Sequence, residues 1–362
     1  MTLAGRLPVF PWDRLEPLRS KLPNDAADLS IGTPVDPVPD LVQDALRAAS
    51  DAPGYPFTWG TRALREAAAG WLRRRHDVTV PPDAVLPVIG TKEFISGLPT
   101  LLGLGSGDTV AFPELAYPTY DIGARMAGAT AVAADSTVAL GPSPVGLLWV
   151  NSPSNPTGKV LPAEHLSKVV SWARSRGTLV ASDECYISLG WESEPVSILH
   201  PSVCGDSHEG LLAVHSLSKR SNMAGYRAGF VTGDPSLIAE LLGIRKHAGM
   251  MVPYPIQAAM TAALLDDKHA DEQKSRYERR RSVLRSALES AGFTISHSEA
   301  GLYLWVSRDG LDDWGLCELL AGPYGILAAP GSMYGPSGGN HVRLALTATD
   351  ATIDRAAARL RG

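Results

Sequence analysis

Lys219 stands in the run Ser216-Leu217-Ser218-Lys219, and Gly225-Tyr226-Arg227 follows within eight residues. A lysine amine condenses with an aldehyde to form a Schiff base. Two hydroxyls and a guanidinium at this spacing suit a phosphate. Pyridoxal 5′-phosphate carries both groups. Most lysines are solvated surface charges, so the spacing alone says little. The preceding run adds weight. Leu211-Leu212-Ala213-Val214 reads as a short buried strand, and Lys219 lies just past its C-terminal end. In open α/β sheets, ligands gather at that end of the strands.

Other strand-like runs end in the same way. After residues 84–89 comes Gly90-Thr91-Lys92-Glu93, which opens a helix. Free N–H groups at a helix N-terminus, with Thr91 and Lys92 as further donors, make a phosphate site; an ordinary strand–helix turn reads alike. After residues 109–112, Tyr117 is placed to stack on a flat heteroaromatic ring or to pack as a loop tyrosine. After residues 145–150, prolines pin the loop from Asn151 to Gly158. That loop either aims Asn155 into a cleft or forms a plain series of β-turns.

After residues 178–182 come Asp183 and then Tyr186. A carboxylate at the end of a buried strand is costly unless paired. A protonated pyridine nitrogen is one partner and keeps the ring an electron sink. An N-cap or a salt bridge to arginine is the structural alternative. Arg343, in the strand-like run 341–346, can take an α-carboxylate as a bidentate pair, although a lone strand arginine is usually structural.

The elements that must position these residues alternate through the middle of the chain, strand-like then helix-like. This predicts an α/β fold with a mostly parallel central sheet flanked by helices. Pro162 opens one helix and Gly177 closes it, with Leu166, Val169, Val170 and Ala173 on one face. Asp234-Pro235 opens another that ends in Arg245-Lys246-His247. After about Pro255 a long charged helix precedes short strands at 293–295, 302–306 and 342–346, and a helix at 351–361 closes the chain. The expected organisation is a Pro-rich segment 1–44 joining a smaller α+β domain, a large domain over 45–255, and the small domain over 256–362.

At 362 residues with a net charge of −5, the chain has room for two domains and gives no support to a nucleic-acid partner. Cys185, Cys204 and Cys317 form no CxxC pair, which fits a reducing cytosol and argues against a zinc site. The first residues lack the apolar core of a signal peptide. The uncharged stretch 248–265 contains Pro253, Pro255 and Gln257, so a loop running into a buried helix is expected there, not a membrane span. A cytoplasmic location is the expectation.

Taken together, these segments resemble the class I/II aminotransferases of pyridoxal-phosphate fold type I, along nearly the whole chain. The motifs are Asn-Pro-Thr-Gly at 155–158, Asp183 with Tyr186, the block from Ser216 to Arg227, and Gly331-Ser332-Met333-Tyr334-Gly335 with Val342-Arg343-Leu344. The resemblance implies that Lys219 binds the cofactor aldehyde and shuttles a proton, and that Asp183 pairs with the pyridine nitrogen. It places Asn155 and Tyr186 on the ring hydroxyl and Tyr117 against the ring. Thr91, Lys92, Ser216, Ser218 and Arg227 hold the phosphate. Arg343 takes the substrate α-carboxylate, with Gly32 and Asn155 close by. Tyr55 reaches the phosphate of the neighbouring subunit in a homodimer.

Four segments resemble more narrowly the succinyldiaminopimelate aminotransferases of actinobacteria. They are Phe10–Asp13, Gly32–Pro39, Pro113–Asp121 and Ser218–Arg227. The implied substrates are glutamate and N-succinyl-2-amino-6-oxopimelate. Aspartate, alanine or aromatic amino acids, and C–S lyase chemistry on the same fold, are the alternatives. Arg220 beside the lysine departs from commoner relatives. It and Lys92 are the cations considered for a succinyl carboxylate. Lys219→Ala is expected to lose turnover and the visible absorbance of lysine-bound cofactor; normal activity in that variant refutes the assignment.

Overall fold

The computed structural model describes residues 3–362. Among them, β1 (Ala27–Asp28) precedes the strands of the main sheet. These are β2 (Val85–Ile89), β3 (Thr109–Phe112), β4 (Thr130–Ala133), β5 (Leu147–Asn151), β6 (Leu179–Asp183), β7 (Leu211–Ser216) and β8 (Ala228–Gly233). They pair in the order β2-β8-β7-β6-β5-β3-β4. Strands β3 to β7 run parallel to their neighbours within that group, while β8 is antiparallel to both β2 and β7. Strand β2 therefore runs with the parallel set. Its C-terminal end and those of β3, β5, β6 and β7 share one edge. The reversed strand β8 presents its N-terminal end there, so Arg227, the residue before β8, arrives beside Gly90, the residue after β2.

The strands read as continuous apolar runs because helices cover both faces. Val85, Ala111, Val150, Val180 and Ala213 face one cluster with helices Arg62–His76, Ala163–Arg176 and Tyr254–Leu265. Their neighbours Leu86, Val110, Trp149, Ala181 and Val214 face the other, with helices Thr91–Leu101, Thr119–Ala127 and Pro235–Ala248. This is the period-2 alternation of a strand, and each fully buried large side chain contributes roughly 1.5–3 kcal/mol. Helix ends follow the expected punctuation. Gly177 and Gly249 close two helices at φ 65° and 69°, and the Asp234 carboxylate accepts from the Ser236 amide.

A second sheet lies in the last third. Strands β9 (Thr294–Ser296), β10 (Tyr303–Ser307), β11 (Ile326–Leu327), β12 (Ala329–Pro330) and β13 (Val342–Ala345) follow one another in the chain. Four of them pair antiparallel in the order β12-β13-β10-β9, and β11 pairs in parallel with β1. Helices Lys268–Ser290 and Asp350–Arg361 bury Leu284, Leu288, Ile353 and Leu360 in its core. The segment after β1 leaves the separate two-stranded pair of β1 and β11 and enters the first core at Val42. On the way, Asp36 takes both terminal nitrogens of Arg280, at 2.8 and 2.6 Å. Helix Tyr254–Leu265 packs Ala259, Met260, Ala263 and Leu264 into the main-sheet core.

Strands β4 and β8 were not expected from sequence. In β8, Gly229, Thr232 and Gly233 interrupt the apolar run although all six residues are buried. Strand β4 is short and partly exposed at the sheet edge. The uncharged stretch 248–265 contains the twelve-residue helix Tyr254–Leu265, and no helix among the described residues is long and apolar enough to cross a membrane.

The Arg280 side chain is 1% exposed and also donates to Asp350 at 2.6 Å. Removing one partner of such a pair leaves buried charge uncompensated. Arg280→Ala is expected to lose on the order of 3 kcal/mol, read as a lower urea midpoint. Arg280→Lys should recover only part of this, because lysine lacks the planar fork.

Candidate active site

The residues after β2 and before β8 meet at one helix N-terminus. Gly90 caps helix Thr91–Leu101 at φ 74°, and a Cβ there would collide with the Arg227 guanidinium. Only glycine serves both needs. Arg227 itself sits at φ 57° and donates from Nη1 to Ala224 O at 2.8 Å. Lys92 Nζ lies 5.4 Å from the ring centroids of both Phe10 and Tyr117. Burial, and then the nearby Arg227 charge, lower the Lys92 pKa. Two cations close together at a helix N-terminus form a cradle for a multiply charged anion. Ser216 and Ser218 are buried at the end of β7, where the Ser218 amide donates to Ser216 Oγ at 3.1 Å.

Asp183 ends β6 and is buried. Its bonded partners are neutral: the Tyr120 hydroxyl at 2.8 Å on one oxygen and the Cys185 amide at 3.2 Å on the other. Burial raises its pKa, and the bonds from Cys185 and Tyr120 and the Lys219 charge oppose that rise. Tyr120 stacks on Trp149 with ring centroids 5.0 Å apart. Burial, then the Asp183 charge, hold the Tyr120 phenol well above its usual pKa, so it remains a donor. The Cys185 thiol donates to Thr91 Oγ1 at 3.4 Å and so joins Asp183 to the helix N-terminus. Asn151 links two loops. Its amide donates to Asp183 O at 2.9 Å and Pro153 O at 3.1 Å, and its oxygen accepts from Asn155 N at 2.8 Å.

Lys219 is half-buried, with Nζ 5.9 Å from the Tyr186 ring centroid. The Tyr277 hydroxyl holds the Lys219 carbonyl at 3.3 Å. Tyr117 lies within electrostatic reach: burial raises its phenol pKa, while the Thr119 bond and the Lys219 charge lower it. Across the cleft, buried Arg343 donates from Nη1 to Asn155 Oδ1 at 2.8 Å and from Nη2 to Ser30 O at 2.7 Å. Its Nε is a buried donor without a partner among the described residues. The Trp12 indole donates to the same Ser30 carbonyl at 3.4 Å. The Arg343 guanidinium carbon is 3.9 Å from the centroid of Tyr303 and 4.9 Å from that of Tyr334. Such faces attract a cation and leave its edge free for a carboxylate.

The structure thus brings Thr91, Lys92, Tyr117, Asn155, Asp183, Tyr186, Ser216, Ser218, Lys219 and Arg227 to the edge formed by the strand ends. Arg343 and Gly32 face them from the second sheet and the N-terminal segment. Tyr55 stands apart at 94% exposure, with Phe57 at 76%. Arg220 also lies elsewhere. Its guanidinium sits 5.3 Å from the Trp71 centroid and donates to Ala263 O at 3.1 Å, and burial lowers its pKa to about 10. This corrects the idea that Arg220 meets a substrate arm. Beside Tyr117 and Lys92 opens a cavity of about 790 Å³, walled by Phe10, Trp12, Ile122, Met126 and Tyr334. Sequence reasoning missed Tyr120, Asn151, Cys185 and Tyr303. The repeated tyrosine in Tyr117-Pro118-Thr119-Tyr120 was the one available signal.

The sequence model of the family "Aminotransferase class I and II" matches residues 24–360. The chain belongs to the class I and II aminotransferases. It is a pyridoxal-phosphate-dependent enzyme of fold type I. This aminotransferase is 58% identical over 357 residues to 4-dedimethylamino-4-oxo-anhydrotetracycline transaminase OxyQ of Streptomyces rimosus, covering 98% of this chain and 99% of that one. It is 31% identical to LL-diaminopimelate aminotransferase of Aquifex aeolicus, with 93% and 91% covered. A solved aminotransferase of Neisseria meningitidis superposes with a TM-score of 0.91 at 30% identity, covering 99% of this chain and 98% of that one.

The donor set fits the cofactor. The Gly90 cradle with Arg227 and Lys92 suits its phosphate, buried Asp183 suits its ring nitrogen, and the unpartnered Arg343 Nε suits a substrate carboxylate. In Gly90→Ala the added methyl must displace Arg227. We expect at least about a tenfold weaker cofactor affinity, the factor set by one lost charge-assisted bond, in a fluorescence titration of apoprotein.

Proposed function

We propose that this aminotransferase moves an amino group between glutamate and N-succinyl-2-amino-6-oxopimelate. Lys219 is the proton carrier in this reading, and its position within reach of Tyr117, Tyr186 and Asp183 is the observation that carries it. When bound, pyridoxal phosphate supplies the electron sink for the α-carbon. Asp183 keeps a cation at the ring nitrogen, with Tyr120 and Cys185 fixing its oxygens. Arg343, held by Asn155, would orient the α-carboxylate, and Lys219 would supply the amine that takes the Cα proton. Thr91, Lys92, Ser216, Ser218 and Arg227 would hold the phosphate, and Tyr117 would stack on the ring. We read the working form as a homodimer in which exposed Tyr55 enters the partner's site.

The four segments at 10–13, 32–39, 113–121 and 218–227 support the acceptor, and the diaminopimelate aminotransferase relative supports a diaminopimelate-like body. Two observations favour a second reading, an aromatic ring-ketone acceptor. One is the 58% identity to a transaminase named for an anhydrotetracycline ketone. The other is the 790 Å³ cavity, of a size for a drug-sized side chain, whose wall is largely apolar and aromatic and also carries Arg14, Lys92 and Arg125.

A half-reaction screen of the pure holoenzyme separates the readings. Glutamate and succinyl-diaminopimelate are expected to bleach the visible cofactor band, with aspartate, alanine and phenylalanine slower. A strong response to a polycyclic aromatic amine without one to succinyl-diaminopimelate moves the acceptor to the second reading. No response to glutamate or to any other amine overturns the transamination reading.

A further inference from the structure

Tyr303 lies between two parts of the site. On β10 it pairs with Ala345, while Arg343 pairs with Trp305, so Tyr303 and Arg343 are diagonal neighbours on one face. The Arg343 guanidinium carbon rests 3.9 Å from the Tyr303 ring centroid. The Tyr303 hydroxyl is 2.9 Å from the Tyr186 hydroxyl, and the two rings meet edge to face. A Cβ at Gly32 would collide with the Tyr303 hydroxyl, so Gly32 leaves the space in which it sits.

Each tyrosine hydroxyl has one proton to give. Burial, and then the neighbouring Tyr303, hold Tyr186 well above its usual pKa, so Tyr186 is a protonated donor. Where Tyr186 gives its proton to a ligand oxygen, the proton in the 2.9 Å bond must come from Tyr303. A hydroxyl that accepts one bond donates the next more strongly.

We propose that Tyr303 is a positioning residue with two separable roles. Its ring seats Arg343 for the substrate α-carboxylate. Its hydroxyl sets the strength with which Tyr186 donates to the cofactor's ring oxygen. This rests on the roles given to Tyr186 and Arg343 in the proposed reaction. One side chain then joins carboxylate binding to the charge state of the ring.

The test uses holoenzyme and two variants. Tyr303→Phe keeps the ring and removes the hydroxyl. The apparent pKa of the visible cofactor band is expected to rise by roughly 0.3–1 unit, the weight of one hydrogen bond. Tyr303→Leu removes the ring as well. Its glutamate dissociation constant, from half-reaction kinetics, should exceed that of Tyr303→Phe by about fivefold or more. A Phe variant with the wild-type band pKa overturns the hydroxyl role. Equal glutamate constants in the two variants overturn the ring role. If the Leu variant does not fold, the Phe spectrum still tests the hydroxyl role. A wild-type protein without any visible band on adding pyridoxal phosphate counts against the cofactor site itself.

Discussion

Two buried charges of opposite sign, Asp183 and Arg343, are each held by neutral groups. Tyr120 and Cys185 bond the carboxylate; Asn155 and the Ser30 carbonyl bond the guanidinium. Burying an ion is tolerable only with such bonds or with a counter-ion. Each charge is therefore held without a counter-ion among the described residues, which in the proposed function is a cation at Asp183 and a carboxylate at Arg343. Much of the surrounding packing serves this arrangement. Trp149 fixes the Tyr120 ring, Asn151 ties the Asn155 loop to the Asp183 backbone, and Tyr303 lies under the guanidinium.

The two charges come from different sheets, so the site depends on how the sheets are joined. The main sheet contributes Asp183, Asn155, Lys219 and Arg227 from loops at one edge. The second sheet contributes Arg343 and Tyr303. A chain of polar contacts links them behind Lys219. Asn222 donates to Gln273, Gln273 donates to Asp36, and Arg280 joins Asp36 to Asp350. The backbone that carries the lysine is thus tied to the helix that covers the second sheet.

In the proposed function, the reaction and the acceptor draw on different parts of the molecule. The family model matches residues 24–360, and the residues given roles in the reaction stand at the strand ends. The cavity walled by Phe10, Trp12, Ile122 and Met126 lies outside those motifs. It draws on the N-terminal segment and on helix Thr119–Ala127. On that proposal, substrate choice can change there while the residues assigned to the cofactor stay the same, as expected when function is grafted onto a shared fold.

The sequence by itself determined the elements and their chemistry-bearing ends. Apolar runs bounded by glycine and proline located five main-sheet strands to within a few residues, because burial on both faces leaves few polar interruptions. Motif residues at their C-terminal ends were legible because a parallel sheet collects those ends. Only the tertiary structure decided the reversed strand β8, whose glycines broke the apolar signal, and with it the arrival of Arg227 at Gly90. It alone decided the roles of Tyr120 and Tyr303. Their partners lie 63 and 117 residues away, and no local periodicity encodes a hydrogen bond across that distance. Arg220 shows the same limit from the other side. It stands next to the lysine in sequence, but the chain turns its guanidinium under Trp71 and away from the site. Spacing along the chain names the residue types available for chemistry, and packing between distant segments determines which of them meet.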